Sequence, residues 1–264
     1  MKDIKFLRDS GVDVNQSLQL LGDIETYNDM LKDFKSSIKE KKGQIEKYFN
    51  EKDMPNYAVY VHSLKSDCKY FGFLKLAELS LEHELKSKDN DYNFVKDNYE
   101  SLMEEIKKVQ GIVDNYLGNA DETNETYGGG VETLDKKSED IILVADDSEV
   151  IRIFVKKVFD ADYELAFAKN GDEALDIIVK HAGDNRIKAI LLDLNMPVKN
   201  GFAVLDYMKE NNLLDKMPVT IISGDSSSEA INRAFNYNIV DMLNKPFNEE
   251  KIKDAVEKTI RKGE

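Results

Sequence analysis

In the second half of the 264-residue chain, a set of acidic, hydroxyl and amino side chains stands out because each closes a short, apolar, β-branched run. Asp146 and Asp147 follow Ile141–Ala145, and Asp193 follows Ala189–Leu192 and opens Asp193-Leu194-Asn195-Met196-Pro197. Ser223 ends Val219–Ser223, and Lys245-Pro246 comes just after Val240–Leu243. Carboxylates brought together raise one another's pKa unless a cation compensates. A small, hard dication is the natural solution, and Mg²⁺ typically takes one or two carboxylates, waters and a phosphate oxygen. Beside such an ion a carboxylate can act as nucleophile on phosphorus, since catalysis is then mostly positioning and charge neutralisation. A lysine and a hydroxyl are what the phosphoryl oxygens need next.

A second candidate lies in the first half. His62 sits in Tyr60-Val61-His62-Ser63-Leu64-Lys65-Ser66-Asp67-Cys68-Lys69-Tyr70-Phe71-Gly72. On a helix, Val61, Leu64, Cys68 and Phe71 form a core-facing stripe. His62, Lys65, Ser66 and Lys69 form the next stripe round. His62 is therefore expected on the helix surface beside two ammonium groups, where an imidazole with free nitrogens is a competent nucleophile. The lysines would attract an anionic phosphodonor, and the small Ser66 leaves room for a partner to approach. His83, between Glu82 and Glu84, reads as a solvated or satisfied helix residue; His181 ends a helix, where its charge suits the dipole. Cys68 lies on the core stripe and packs rather than reacts.

The elements that must position these groups differ between the halves. Residues 1–118 contain a single proline, Pro55, and long stretches of 3.6-residue periodicity, read as helices over 13–21, 24–49, 54–70, 72–88 and 91–117. That pattern calls for an antiparallel helical bundle. Residues 140–264 alternate: strands at Ile141–Ala145, Glu164–Ala168, Ala189–Leu192, Val219–Ser223 and Val240–Leu243, with helices over 148–159, 171–181, 200–212, 227–237 and 248–262. Such alternation gives a parallel sheet covered on both faces, with its site at the carboxyl ends of the strands. Residues 119–139, with Gly128-Gly129-Gly130, six acidic residues and almost no apolar content, read as a flexible linker.

Composition limits the partners. The net charge of −14 argues against non-specific binding to nucleic acid or an anionic membrane. One cysteine excludes an internal disulfide, and three histidines leave little for a His-rich metal site. No apolar run approaches the roughly 20 residues of a membrane span, and the charged N-terminus is unlike a signal peptide. The expectation is a cytoplasmic protein.

With these residues in view, the second half resembles the receiver domain of bacterial response regulators. The resemblance implies a flavodoxin-like (βα)5 fold with Asp193 as phosphoacceptor, and Asp146, Asp147, Asp193 and the backbone carbonyl of Asn195 as Mg²⁺ ligands. It also implies that Ser223 and Lys245 bind the phosphoryl group and that Pro246 follows a cis peptide. Met242 stands where receivers usually carry an aromatic switch residue, and Gly224, smaller than the alanine often found there, is expected to loosen the following loop. The stretch from His62 to Gly72, with Gly-Val-Asp-Val at Gly11–Val14 and Leu20-Leu21-Gly22-Asp23, resembles the histidine-containing phosphotransfer (HPt) domain. That resemblance implies a four-helix bundle with an extra N-terminal helix and His62 as the phosphorylated residue; glycine is commoner than serine at the Ser66 position.

The expected function is a phosphorelay protein that carries phosphoryl groups on His62 and Asp193, with no ATP-binding kinase domain and no DNA-binding segment. Its partners are then an upstream histidine kinase or other receiver and HPt proteins, and the face made by 227–237, 248–262 and the last strand is the first candidate for output. The alternative is a response-regulator binding module whose phosphorylation at Asp193 switches protein contacts, the helical half serving as docking surface or phosphate sink. A metal-dependent phosphohydrolase fits less well, because Asn195 stands where those enzymes carry a second aspartate.

Overall fold

The computed structural model describes residues 2–118, 139–224 and 228–263. The N-terminal part is all helical: α1 (Lys5–Asp9), α2 (Val14–Leu21), α3 (Ile24–Glu51), α4 (Met54–Phe71), α5 (Leu74–Lys88) and α6 (Tyr92–Leu117). Four of these helices start on an aspartate. The side chains of Asp13, Asp23, Asp53 and Asp91 accept from the backbone N–H groups of Gln16, Thr26, Asn56 and Phe94. Each such cap satisfies a donor that the first turn leaves free, so chain direction is reset at sequence-defined points. The aromatic core includes Tyr27, Phe34, Tyr57, Tyr70 and Phe71, all fully buried. The short α1 was not anticipated: it buries only Leu7, too little to leave a periodic stripe.

The C-terminal part contains β1 (Ile141–Ala145), α7 (Glu149–Phe159), β2 (Glu164–Ala168), α8 (Gly171–Lys180), β3 (Ile187–Leu192), α9 (Gly201–Glu210), β4 (Val219–Ser223), α10 (Ser228–Phe235), β5 (Asp241–Asn244) and α11 (Glu249–Gly263). The strands form one parallel sheet in the order β2-β1-β3-β4-β5. This is the doubly wound order in which the site lies beyond the carboxyl ends of the strands, at the reversal between β1 and β3. Every residue of β1 and β4 is buried, as expected of strands covered on both faces. β3 starts two residues earlier than expected, because Lys188, a half-buried charged residue, breaks the apolar run without ending the strand. The Lys245–Pro246 peptide is cis, as expected.

The two parts are packed together. One apolar cluster runs from the helical bundle into the sheet face covered by α7 and α11, while a second fills the opposite face. Tyr70 of α4 sits at the junction, with ring centroids 6.4 Å from Phe154 and 6.0 Å, edge on, from Phe247. Its hydroxyl accepts from the Phe247 backbone N–H at 3.0 Å. Nearly all of the stretch expected as a linker, 119–138, lies outside the described residues.

Candidate functional site

The strand ends bring the acidic residues into one pocket. Carboxylate oxygens of Asp146, Asp147 and Asp193 all lie within 4.8 Å of one another. Lys245 reaches across from the end of β5, with Nζ 2.7 Å from Asp146 Oδ2 and 2.6 Å from Asp193 Oδ2. The free oxygens are held by the turns that follow: Asp146 Oδ1 accepts from the Ser148 N–H at 2.9 Å, and Asp193 Oδ1 from the Asn195 N–H at 3.0 Å. Gly201 allows the loop after Asp193 to fold back, since a Cβ there would lie 2.2 Å from the Asp193 carbonyl oxygen. Ser223 is buried at the end of β4, and its carbonyl accepts from the Lys245 N–H at 2.8 Å.

Burial dominates the electrostatics. It pushes the Asp146 carboxyl up to about 7, with Asp193 and Asp147 adding to the shift and Lys245 opposing it. Asp147 is also raised by burial, partly offset by Lys41. Burial would depress Lys245, but Asp146, Asp193 and Asp147 more than reverse this and hold it charged. The donor set is all hard oxygen, with more negative charge than one ammonium balances, and so suits a small dication.

His62 is only 1% exposed. This corrects the expectation of a surface histidine: its stripe does lie on the outside of the helical bundle, but the α/β domain covers it. Its Nδ1–H donates to Glu84 Oε1 of α5 at 2.7 Å. Glu84 also accepts from Lys65 at 2.5 Å and Lys88 at 2.6 Å. Burial alone would raise Glu84, but the hydrogen bond from His62 and the charges of His62, Lys65 and Lys88 pull it far below the usual carboxylate range. Lys65 is lowered, mainly by burial. The other imidazole nitrogen, Nε2, is buried without a protein partner, as are Ser66 Oγ and Asn195 Nδ2. Nε2 faces the end of β4: a Cβ built on Gly224 would lie 3.5 Å from it. The same side chain lines a cleft of about 480 Å³ together with Lys88 and Asn195. A second cleft, of about 270 Å³, reaches Asp147 between Lys41, Tyr60 and Pro197. The imidazole and the end of β4 thus meet across the domain boundary, with one cleft reaching His62 and Asn195 and the other reaching Asp147.

Polar contacts fix this arrangement. Asp67, five residues beyond His62, accepts from Ser148 Oγ of the α/β domain at 2.6 Å and is paired with the buried Lys41 of α3. Lys157 of α7 donates to Thr26 of α3 and lies 4.0 Å from Asp23. Glu84, Asp67 and Ser148 were not singled out from the sequence. As surface-type residues in helical or capping positions, they carry no one-dimensional sign of what they face.

The remaining expectations divide. Cys68 is buried in the core, which raises its thiol. His181 caps the end of α8, with Nδ1 2.7 Å from Asp184. His83 is satisfied but not solvated: it is 1% exposed, with Nδ1 2.8 Å from the Tyr57 hydroxyl. Burial lowers its pKa from 6.5 to about 4. As pH falls below 6.5 the unfolded chain takes up a proton that folded His83 refuses. Stability present above that pH is therefore lost progressively down to about pH 4, by about 3 kcal/mol. Thermal melts of His83→Gln should lack this part of the acid slope.

Together these features define a protein in which a helical histidine domain is docked on an aspartate-bearing α/β domain. Residues 142–257 match the response regulator receiver domain and residues 29–110 the Hpt domain. Sporulation initiation phosphotransferase F of Bacillus subtilis is 32% identical over 45% of this chain and 92% of its own length. A probable methanogenesis regulatory protein, FilR2 of Methanothrix harundinacea, is 27% identical over 48% of this chain and 84% of its own. Among solved structures, the chemotaxis protein CheY4 of Vibrio cholerae is 29% identical with a TM-score of 0.41, over 46% of this chain and 98% of that one. The chain belongs to the response regulator receiver family, with an Hpt domain ahead of the receiver, and its role is phosphorelay signalling. Among the described residues, no helix is long and apolar enough to cross a membrane.

Proposed function

We propose that this protein passes a phosphoryl group between His62 and Asp193 within a single molecule. The observation that carries this reading is the docked boundary: the unpartnered Nε2 of His62 faces Gly224, the residue after Ser223, at the mouth of the pocket that holds Asp193. Tethered partners meet at an effective concentration in the millimolar range, so no encounter between chains is needed.

The residues supply a balanced exchange. With the phosphoryl group on Nε2, Glu84 holds the proton on Nδ1 and stabilises the positive ring. A carboxylate oxygen of Asp193 attacks phosphorus as the Nε2–P bond breaks. The bond electrons return to Nε2, and His62 leaves as a neutral imidazole that keeps its Nδ1 proton. The reverse reaction uses the same groups. Lys245 balances charge on the transferring oxygens, with Ser223 beside it. Asp146, Asp147 and Asp193, with the Asn195 carbonyl, are the residues that would hold Mg²⁺, which when bound neutralises charge on the phosphoryl oxygens. An upstream histidine kinase or another phosphorelay protein supplies the phosphoryl group.

The test is phosphoryl labelling with acetyl phosphate and with a phosphohistidine donor. Base-stable, acid-labile label on His62 and acid-stable, base-labile label on Asp193 should both appear, at a rate independent of protein dilution. His62→Gln should retain only the aspartyl label, Asp193→Asn should lose it, and chelation of divalent cations should stop aspartyl labelling. Label that stays on Asp193 and never reaches His62 in either direction would overturn the reading.

A further inference from the structure

We infer that Ser66 and Gly224 form a size-matched pair that fits the Hpt domain to its own receiver and sets the distance between His62 and the Asp193 pocket. The inference rests on the exchange proposed above. Ser66 follows His62 by one turn of α4 and is only 4% exposed. Gly224 follows Ser223 at the end of β4. A Cβ added at Gly224 would lie 3.3 Å from Ser66 Oγ, 3.5 Å from His62 Cε1 and 3.5 Å from His62 Nε2.

The first of these distances is too short for a relaxed carbon–oxygen contact, and the atoms on either side have little room. Ser66 Oγ turns about a single torsion, so its freedom is limited to the staggered positions that the helix allows and is less than that of a long side chain. The imidazole is fixed at its far nitrogen by Glu84, 2.7 Å away. On the receiver side, Gly224 belongs to a chain tied by the pairing of Ser223 with Asn244. A methyl group at Gly224 must therefore be accommodated by moving α4 away from the strand end by a few tenths of an ångström. That shift falls on the gap the phosphoryl group crosses. The small residue is on the receiver side and the larger one on the helical side, so the two surfaces are complementary only as a pair. A receiver with any side chain at the Gly224 position meets the hydroxymethyl group of Ser66 and is disfavoured, whereas this receiver is not.

The test is a double-mutant cycle in the full chain, with transfer of label from phosphorylated His62 to Asp193 followed by rapid quench. Misplacing reacting groups by a fraction of an ångström costs about tenfold in rate, and that is the expected loss for Gly224→Ala. Ser66→Gly alone should leave the rate within about twofold, and the pair Ser66→Gly with Gly224→Ala should return it to about the parent value. Loading of Asp193 from acetyl phosphate should be unchanged in Gly224→Ala, which shows that the receiver pocket itself is intact. If the parent chain transfers and Gly224→Ala transfers equally fast, the inference fails while the exchange stands. A slow Gly224→Ala that Ser66→Gly does not rescue overturns it too, as does a Ser66→Gly variant as slow as Gly224→Ala, which would make the hydroxyl a chemical rather than a spatial requirement. If the parent chain does not transfer at all, it is the proposed exchange that falls.

Discussion

Lys245→Ala should slow phosphorylation of Asp193 from acetyl phosphate by about 10²–10³, the usual cost of removing one preorganised group that stabilises a developing anion. Lys245 is the cation in direct contact with both Asp146 and Asp193, at 2.7 and 2.6 Å, and all three side chains are buried. Without it, two carboxylates face each other in a low-dielectric pocket, and the incoming phosphoryl oxygens lose the ammonium placed to receive them. Lys245→Arg separates charge from shape. It keeps the positive charge, but a planar fork cannot place one donor between the two oxygens in the same space, so it should recover only part of the rate. Phosphate-affinity gels or ³¹P spectra of the full chain report the outcome, with circular dichroism checking the fold. An alanine variant loaded as fast as the parent would mean that Lys245 only balances the resting carboxylates and takes no part in transfer.

The pocket around Lys245 could be read from the sequence because its residues stand at, or just after, the ends of short strand-like runs, Asp146 after Ile141–Ala145 and Asp193 after Ala189–Leu192. In a parallel sheet, that position is a three-dimensional address. Asp146, Asp193, Ser223 and Lys245 are therefore placed by strand period and chain order alone. His62 is only half legible in the same way. Its helical stripe and its lysine neighbours follow from spacing, but its burial does not, because the group that covers it lies some 160 residues further along the chain. Glu84 is less visible still: it becomes the partner of His62 only when α5 packs on α4, and in sequence it is one of many helix glutamates. Lys41, Asp67 and Ser148 read as a solvated charge, another solvated charge and a helix cap. Their meeting is a property of the domain boundary, which no periodicity within one domain encodes. Gly224 shows the same limit from the other side. Its smallness suggests a looser loop, whereas the contact it permits is with Ser66 and His62.

The boundary itself gives the second large effect. Asp67→Ala should open the docked pair, because this carboxylate holds both sides of it. One oxygen accepts from Ser148 across the boundary at 2.6 Å, and the other is paired with Lys41, itself only 7% exposed. Removing one member of a buried ion pair leaves the other charge uncompensated, at a cost of about 3–5 kcal/mol. Lys41 lies on α3 and Ser148 caps α7, so that cost is shared between the helical domain's own stability and its docking to the receiver. A second substitution divides the two. Lys41→Met added to Asp67→Ala removes the stranded charge but does not restore the bond to Ser148. The thermal midpoint of the helical domain should then recover most of its loss, while the domains stay less tightly held. Modification of His62 by diethyl pyrocarbonate, located by mass spectrometry, reads the docking directly, because the ring is almost fully covered in the closed arrangement. The rate should rise at least tenfold in both variants, and hydrogen exchange around Ser148 should rise with it. If His62 stays as protected in the double variant as in the parent, the apolar contacts of Tyr70 with Phe154 and Phe247 are enough to hold the domains together, and Asp67 serves the helical domain alone.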